Sequence, residues 1–224
     1  MLLDLVANNN WRRGLYFASP ASVSHCFNVD SFCLVQGWVY KFMPVKATKE
    51  DFITNMGGVD PLTSYDLLMN KFAWGNLNDP HVYVDPESLN NQARPKTNML
   101  RTAQSLIGME RNKEAIKLMD KYFELFPDSK FPYDMYTMPF AEMYYKVGET
   151  AKANKIMVRL SQIYAQNLDY YYTFKGKVRD YYTKDIEQAL GILRRMNYIA
   201  QENKQAKLAA DLDKLFQQEL KKYQ

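Results

Sequence analysis

The chain has 224 residues, 47% of them hydrophobic and 24% charged, with 29 Lys and Arg against 25 Asp and Glu for a net charge of +4. Those proportions are globular and exclude wholesale disorder and collagen-like or low-complexity classes, and a chain this long buries roughly 70% of its unfolded surface when it folds. Basic residues alternate with acidic ones, so non-specific nucleic-acid binding is not indicated; even the densest run, Lys204 to Lys222, carries Asp211, Asp213 and Glu219 and reads as a solvated helix face.

No apolar run reaches the ~18 residues that span a bilayer, and the opening MLLDLVANNN carries Asp4 where a signal peptide wants basic charge. The chain is expected to be soluble as given, so any work outside the cytoplasm requires polypeptide upstream to carry it there. Cys26 and Cys33 are the only cysteines. Two thiols seven positions apart make neither a disulfide framework nor a zinc site; free thiols are the favoured reading, and a bridge in an oxidising space stays open.

Leu2, Leu3, Leu5 and Val6 indicate a short helix that stops at Asn8 to Asn10, whose side chains compete for backbone hydrogen bonds. Gly14 to Ala18 reads as a strand, and residues 34–43, LVQGWVYKFM, as a second strand ending at Pro44. Leu62, Tyr65, Leu67, Leu68 and Phe72 recur at helical spacing before Gly75, a plausible stop. Pro86 fits the first turn of the next helix, which Pro95 should kink or divide, because an interior proline removes a hydrogen bond and clashes one turn back.

From Lys96 onward the chain repeats itself. Ala103, Ala115 and Met119 recur as Ala141, Ala153 and Met157, each displaced by 38 residues. Met99, Thr102, Ala103, Leu106, Ala115, Met119 and Pro127, then Thr137, Phe140, Ala141, Tyr144, Ala153, Met157 and Ala165, resemble two tetratricopeptide units, helix hairpins whose alanines allow close crossing. The first Trp position of that pattern is not aromatic here, the second unit lacks the final proline, and the period exceeds 34, which places extra residues in Asp128 to Asp134. Ile186, Leu190, Leu193, Met196 and Ala200, followed by Leu208, Leu212, Leu215, Phe216 and Leu220, supply a third pair. The tyrosine-rich segment 168–182 is expected to be mostly helix with a break near Gly176. The fold expected is thus mainly α: a tetratricopeptide-like helix-hairpin stack over 96–224, preceded by a small α/β region over 1–60 with two short strands and a helical connector over 61–95.

Chemical motifs are mainly absent: there is no P-loop, G-x-S-x-G elbow, EF-hand spacing or H-E-x-x-H, and His25 and His81 are too few for common zinc arrangements. His25 beside Cys26 is a poor thiol-nucleophile pair, since neighbours on an extended chain point to different sides. No catalytic residue, metal site or cofactor is assigned. Tyr133, Tyr136, Tyr144, Tyr145, Tyr164 and Tyr170 to Tyr172 fit either a stacking platform or, the favoured reading, fillers of helix crossings with hydroxyls at the surface. The groove positions of tetratricopeptide repeats map onto Leu100, Gln104 and Ile107 in the first unit, and onto Met138, Glu142, Tyr145 and Lys146 in the second. These are the candidate partner contacts.

A second resemblance rests on longer strings: LDLVANNNWRRGLYFA at 3–18, LVQGWVYKFMPVK at 34–46, YDLLMNKFAWGN at 65–76 and VYVDP at 82–86. In that order they resemble the C-terminal soluble part of a Bacteroidetes family of multi-span membrane proteins, over roughly residues 1–175. The membrane half of that family resembles GT-C-type, lipid-linked-sugar glycosyltransferases, including the protein O-mannosyltransferases. The resemblance implies an extracytoplasmic module on the periplasmic side of the inner membrane, attached to a catalyst that lies outside this sequence, and it offers no catalytic residues at these positions. The expected function is non-catalytic: holding a protein or glycan partner near that membrane half, with contact to the membrane only through it and none with nucleic acid. An independent carbohydrate-active enzyme, which the tyrosines could serve, and a purely structural cap of the membrane half are the alternatives.

Overall fold

The structure, a computed structural model, describes residues 2–19, 29–47 and 57–223. The chain falls into two compact units, Met1–Phe131 and Pro132–Gln224. The division runs inside the expected repeat region, just after its first hairpin.

The first unit begins with α1 (Leu2–Asn9), closed by the asparagines: Asn8 donates to the Asp4 carbonyl and Asn9 to the Arg13 carbonyl. A small sheet follows, built of β1 (Leu15–Phe17), β2 (Cys33–Gln36), β3 (Val39–Phe42) and β4 (Gly58–Val59) in the order β1-β3-β2-β4. The expected single strand over 34–43 is a hairpin. Gln36 pairs with Val39 across the two-residue loop Gly37-Trp38, and Gly37, at φ +63°, occupies the loop position that type II′ hairpins reserve for glycine. β1 joins β3 antiparallel, and β4 joins β2 parallel, so the sheet has four short strands where two are expected. Cys33, Val35 and Tyr40 form its core, with Phe17, Val29, Phe42 and Val59 against them.

Helices then cover the sheet. α2 (Pro61–Asp66) runs into a π-helical turn, Leu67–Lys71, that ends at Phe72. Asp60 caps α2 by accepting from the Thr63 N–H and also accepts from the Gln36 side chain, while the Ser64 hydroxyl donates to Val35 and accepts from the Gly37 N–H. α3 (Pro86–Asn90) starts at Pro86 and is capped by Asp85; the divide near Pro95 is real, because α4 (Ala93–Gly108) begins separately, with Pro95 in its first turn. α4 packs against α5 (Asn112–Leu125) and, through another face, against α2 and β4. That second face is polar: Asn98 donates to the Gly37 carbonyl at 2.8 Å and Arg101 to the Gly57 carbonyl at 3.2 Å, both side chains fully buried. They satisfy carbonyls that the sheet leaves over at its turn and at the entry to β4.

The second unit holds two helix hairpins, α6 (Met138–Lys146) with α7 (Thr150–Tyr172) and α9 (Thr183–Glu202) with α10 (Ala206–Tyr223), and α7 packs on both helices of the later pair. The short α8 (Lys177–Tyr181) starts at Gly176, the expected break. Ala103, Ala115, Met119, Ala141, Ala153 and Met157 are all fully buried.

The three hairpins share one turn. Arg111, Glu149 and Gln205 donate their N–H groups to the carbonyls of Leu106, Tyr144 and Ala200, and Glu110, Gly148 and Lys204 donate to Ile107, Tyr145 and Gln201. Each set is a Schellman motif, with its left-handed residue at Glu110, Gly148 or Lys204. Four residues beyond each closing N–H lies a buried alanine, Ala115, Ala153 or Ala209. The 38-residue echo of side chains is therefore also an echo of backbone geometry, and the third hairpin repeats it.

Candidate functional site

The seven candidate contacts divide between the units, Leu100, Gln104 and Ile107 in the first and Met138, Glu142, Tyr145 and Lys146 in the second. Leu100 is buried, and Gln104 and Ile107 are half-buried. In α6, Met138 and Glu142 are half-buried, Tyr145 is buried and Lys146 is exposed. Glu142 meets Arg195 of α9 at 3.3 Å, a partly exposed pair worth little to stability. The Tyr145 hydroxyl donates to Asn154, whose amide donates to Gln205, and burial pushes the Tyr145 pKa up. Tyr145 therefore ties α6 to α7, while Lys146, Ile107 and the outer edge of Glu142 are the parts open to a partner.

The tyrosines split between the two roles weighed for them. Tyr144 and Tyr145 fill helix contacts, whereas Tyr136 and Tyr170 stand exposed. At the α7–α8 corner, Tyr182 stacks on both Tyr171 and Phe174 at 5.1 Å, and Tyr170 meets Phe174 edge-on.

Among the described residues, the first unit includes two concavities that the sequence does not announce. One, of about 80 Å³, is walled by Trp38, Pro95, Phe126 and Phe131 beside Gln92. The other, of about 250 Å³, lies at the edge of the sheet formed by β1 and is lined by Trp11, Arg13, Tyr16, Lys41, Phe42, Met43 and Pro44. Its wall is set by the turn after α1, where Asn10 and Trp11 both take left-handed backbone, at φ +47° and +54°. That conformation is an outlier for a residue as bulky as tryptophan, and such strain gathers at functional sites. The Trp11 ring stacks on Phe42 with centroids 5.8 Å apart, yet Trp11 remains 42% exposed and Tyr16 53%. Antiparallel pairing sets Tyr16 opposite Lys41, and the Asn9 side chain holds the Arg13 carbonyl at 2.8 Å. Two flat aromatic faces flanked by two cations can stack on planar or sugar rings and pair with anionic oxygens. The signal available in the sequence was Trp11-Arg12-Arg13, an amphipathic triplet in a turn.

Among the described residues, no three His, Cys, Asp or Glu side chains come together as metal ligands, and no helix is long and apolar enough to cross a membrane. His25 and Cys26 lie outside the described residues. Cys33 is a free thiol whose pKa burial pushes up to about 11, Asp30 adding to the effect. His81 is exposed beside Asp79, whose carboxyl its backbone and ring hydrogen bonds hold below the ordinary range.

Comparison with known proteins finds one family: the model of TMEM260-associated domain 2 matches residues 1–63. The matched stretch contains α1, the sheet and the aromatic–basic cleft. No curated protein and no solved structure matches the chain.

Proposed function

We propose that this chain is the non-catalytic, extracytoplasmic module of a TMEM260-like membrane protein, whose helix hairpins hold a protein or glycan partner beside a GT-C-type glycosyltransferase-like membrane half outside this sequence. The observation that carries the reading is the match of TMEM260-associated domain 2 to residues 1–63, which contain the four strands, joined in one chain to three hairpins with a common turn. Stacked hairpins of tetratricopeptide type serve as scaffolds that present extended surfaces. Buried alanines at Ala103, Ala115, Ala141 and Ala153 and the recurring Schellman turns support that likeness. The resemblance to Bacteroidetes membrane proteins is what supports reading the module as lying on the periplasmic side of the inner membrane.

The test is photo-crosslinking in the native envelope, with the parent membrane protein carrying a crosslinker at Ile107 or Lys146. A partner captured at Lys146 and reduced by Glu142→Lys, or captured at Ile107 and reduced by Gln104→Lys, is expected. Glycan turnover by the purified chain alone, abolished by carboxylate substitutions, would instead make it an enzyme. Loss of parent-protein abundance on deleting the chain, with no captured partner and unchanged product, would make it a structural cap.

A further inference from the structure

We propose that the surface around Trp11 docks on an anionic lipid bilayer. It goes beyond the partner-holding role and does not depend on it.

Scattered apolar side chains at a protein surface are ordinary, but here they gather in two short segments. Leu3 is 65% exposed, Leu5 48%, Trp11 42%, Tyr16 53% and Val45 64%. These segments, residues 2–19 and 39–47, also carry Arg12, Arg13, Lys41 and Lys46 against a single carboxylate, Asp4. The Asp4 side chain already accepts from the Asn8 amide at 3.1 Å. Trp11, Arg13, Tyr16 and Lys41 line one cleft with Met43 and Pro44, so these two rings and two cations share one surface. Arg12 adjoins it in sequence, Val45 and Lys46 follow directly on Pro44, and Leu3 and Leu5 lie on the helix that leads into it. The stack on Phe42 and the left-handed backbone hold the Trp11 indole at the rim.

This combination matches the chemistry of a bilayer interface. Tryptophan and tyrosine settle at headgroup level, leucine and valine reach the acyl boundary, and arginine and lysine meet lipid phosphates. A soluble anion would account for Arg13 and Lys41 but leave Leu3, Leu5 and Val45 without a role. A second copy of the chain would set four cations against four, which like-charge repulsion disfavours. Positive charge facing negative headgroups, with apolar groups inserted between them, answers both parts of the surface.

The test is sedimentation of the whole purified chain with vesicles of phosphatidylcholine alone or with 30% phosphatidylglycerol added, in low and high salt. Binding to the anionic vesicles only, lost in high salt, is expected. Each cation near such a surface contributes about fivefold, so Arg12→Gln with Arg13→Gln should lower the partition coefficient about 25-fold. Leu3→Ser with Leu5→Ser should weaken binding as well, whereas Lys207→Gln with Lys214→Gln on α10 should leave it unchanged. Circular dichroism and urea midpoints confirm that each variant is folded. Equal binding to both vesicle types, no binding by folded protein, or equal losses from the α10 variant would overturn the proposal. So would inorganic phosphate displacing the vesicles while the leucine variant binds normally, or a dimer that the leucine variant dissolves.

Discussion

Two glycines of the second unit should respond to the same substitution with opposite signs. Gly191 lies inside α9 without a left-handed backbone, and Gly148 closes the α6–α7 hairpin at φ +83°; an added Cβ would meet no heavy atom within 4 Å at either position. Packing therefore drops out, and only backbone conformation remains. At Gly191, alanine restores helix propensity worth about 0.8–1 kcal/mol. At Gly148, a left-handed L-residue costs about 1–2 kcal/mol, offset by about 0.4–1 kcal/mol of reduced unfolded-state entropy, for a net loss near 1 kcal/mol. Gly191→Ala and Gly148→Ala should thus differ by about 2 kcal/mol, or about 4–8 °C in Tm for a chain of this length. Urea unfolding followed by circular dichroism reads both on the same unit. Glu110→Gly and Lys204→Gly, at the two other left-handed turn positions, should gain about 0.5–1 kcal/mol each by relieving the same strain. Shifts of equal sign for Gly148→Ala and Gly191→Ala would refute the Schellman assignment.

Ala153→Leu should destabilise the second unit by about 1–3 kcal/mol through overpacking, while Ala151→Leu one turn-face away stays near neutral, because Ala153 is fully buried and Ala151 exposed; equal urea midpoints would remove the small-residue basis of the hairpins. Cys33, with its pKa near 11 against an ordinary 9.0, should hold about 100-fold less thiolate at pH 8 than a free thiol and label slowly with iodoacetamide in a Cys26→Ser background until urea is added. Rapid native labelling would contradict its burial. Burial raises the pKa of Tyr40 and Tyr145, and takes Tyr164 to about 12, with the charge of Asp134 adding to the burial effect there. Above pH 10 the unfolded chain then releases protons that the native state keeps, so stability present below pH 10 should fall as pH rises from 10 toward 12. A urea midpoint that holds or rises across that window would reverse the sign of the reasoning.

Local signals carried much of the architecture. The helix starts at Pro86 and after Gly176, the division near Pro95, and the paired helices after Lys96 all follow from residues within one or two turns of the feature. Apolar periodicity and the special backbone of proline and glycine act over that range, so they are readable in one dimension. The 38-residue echo was legible for the same reason, since a hairpin with a fixed turn repeats its small residues along with its hydrogen bonds.

The candidate contacts were only partly legible: a groove position inherited from a repeat pattern does not show that Tyr145 spends its hydroxyl on Asn154 or that Glu142 meets Arg195. Residues 34–43 have the composition of one strand, and only pairing of Gln36 with Val39 reveals the hairpin. Tertiary structure alone decided that Arg101 reaches the Gly57 carbonyl and that Tyr16 faces Lys41 beside Trp11. Those partners lie tens of residues apart, and their meeting depends on sheet register and chain closure, which no local propensity encodes.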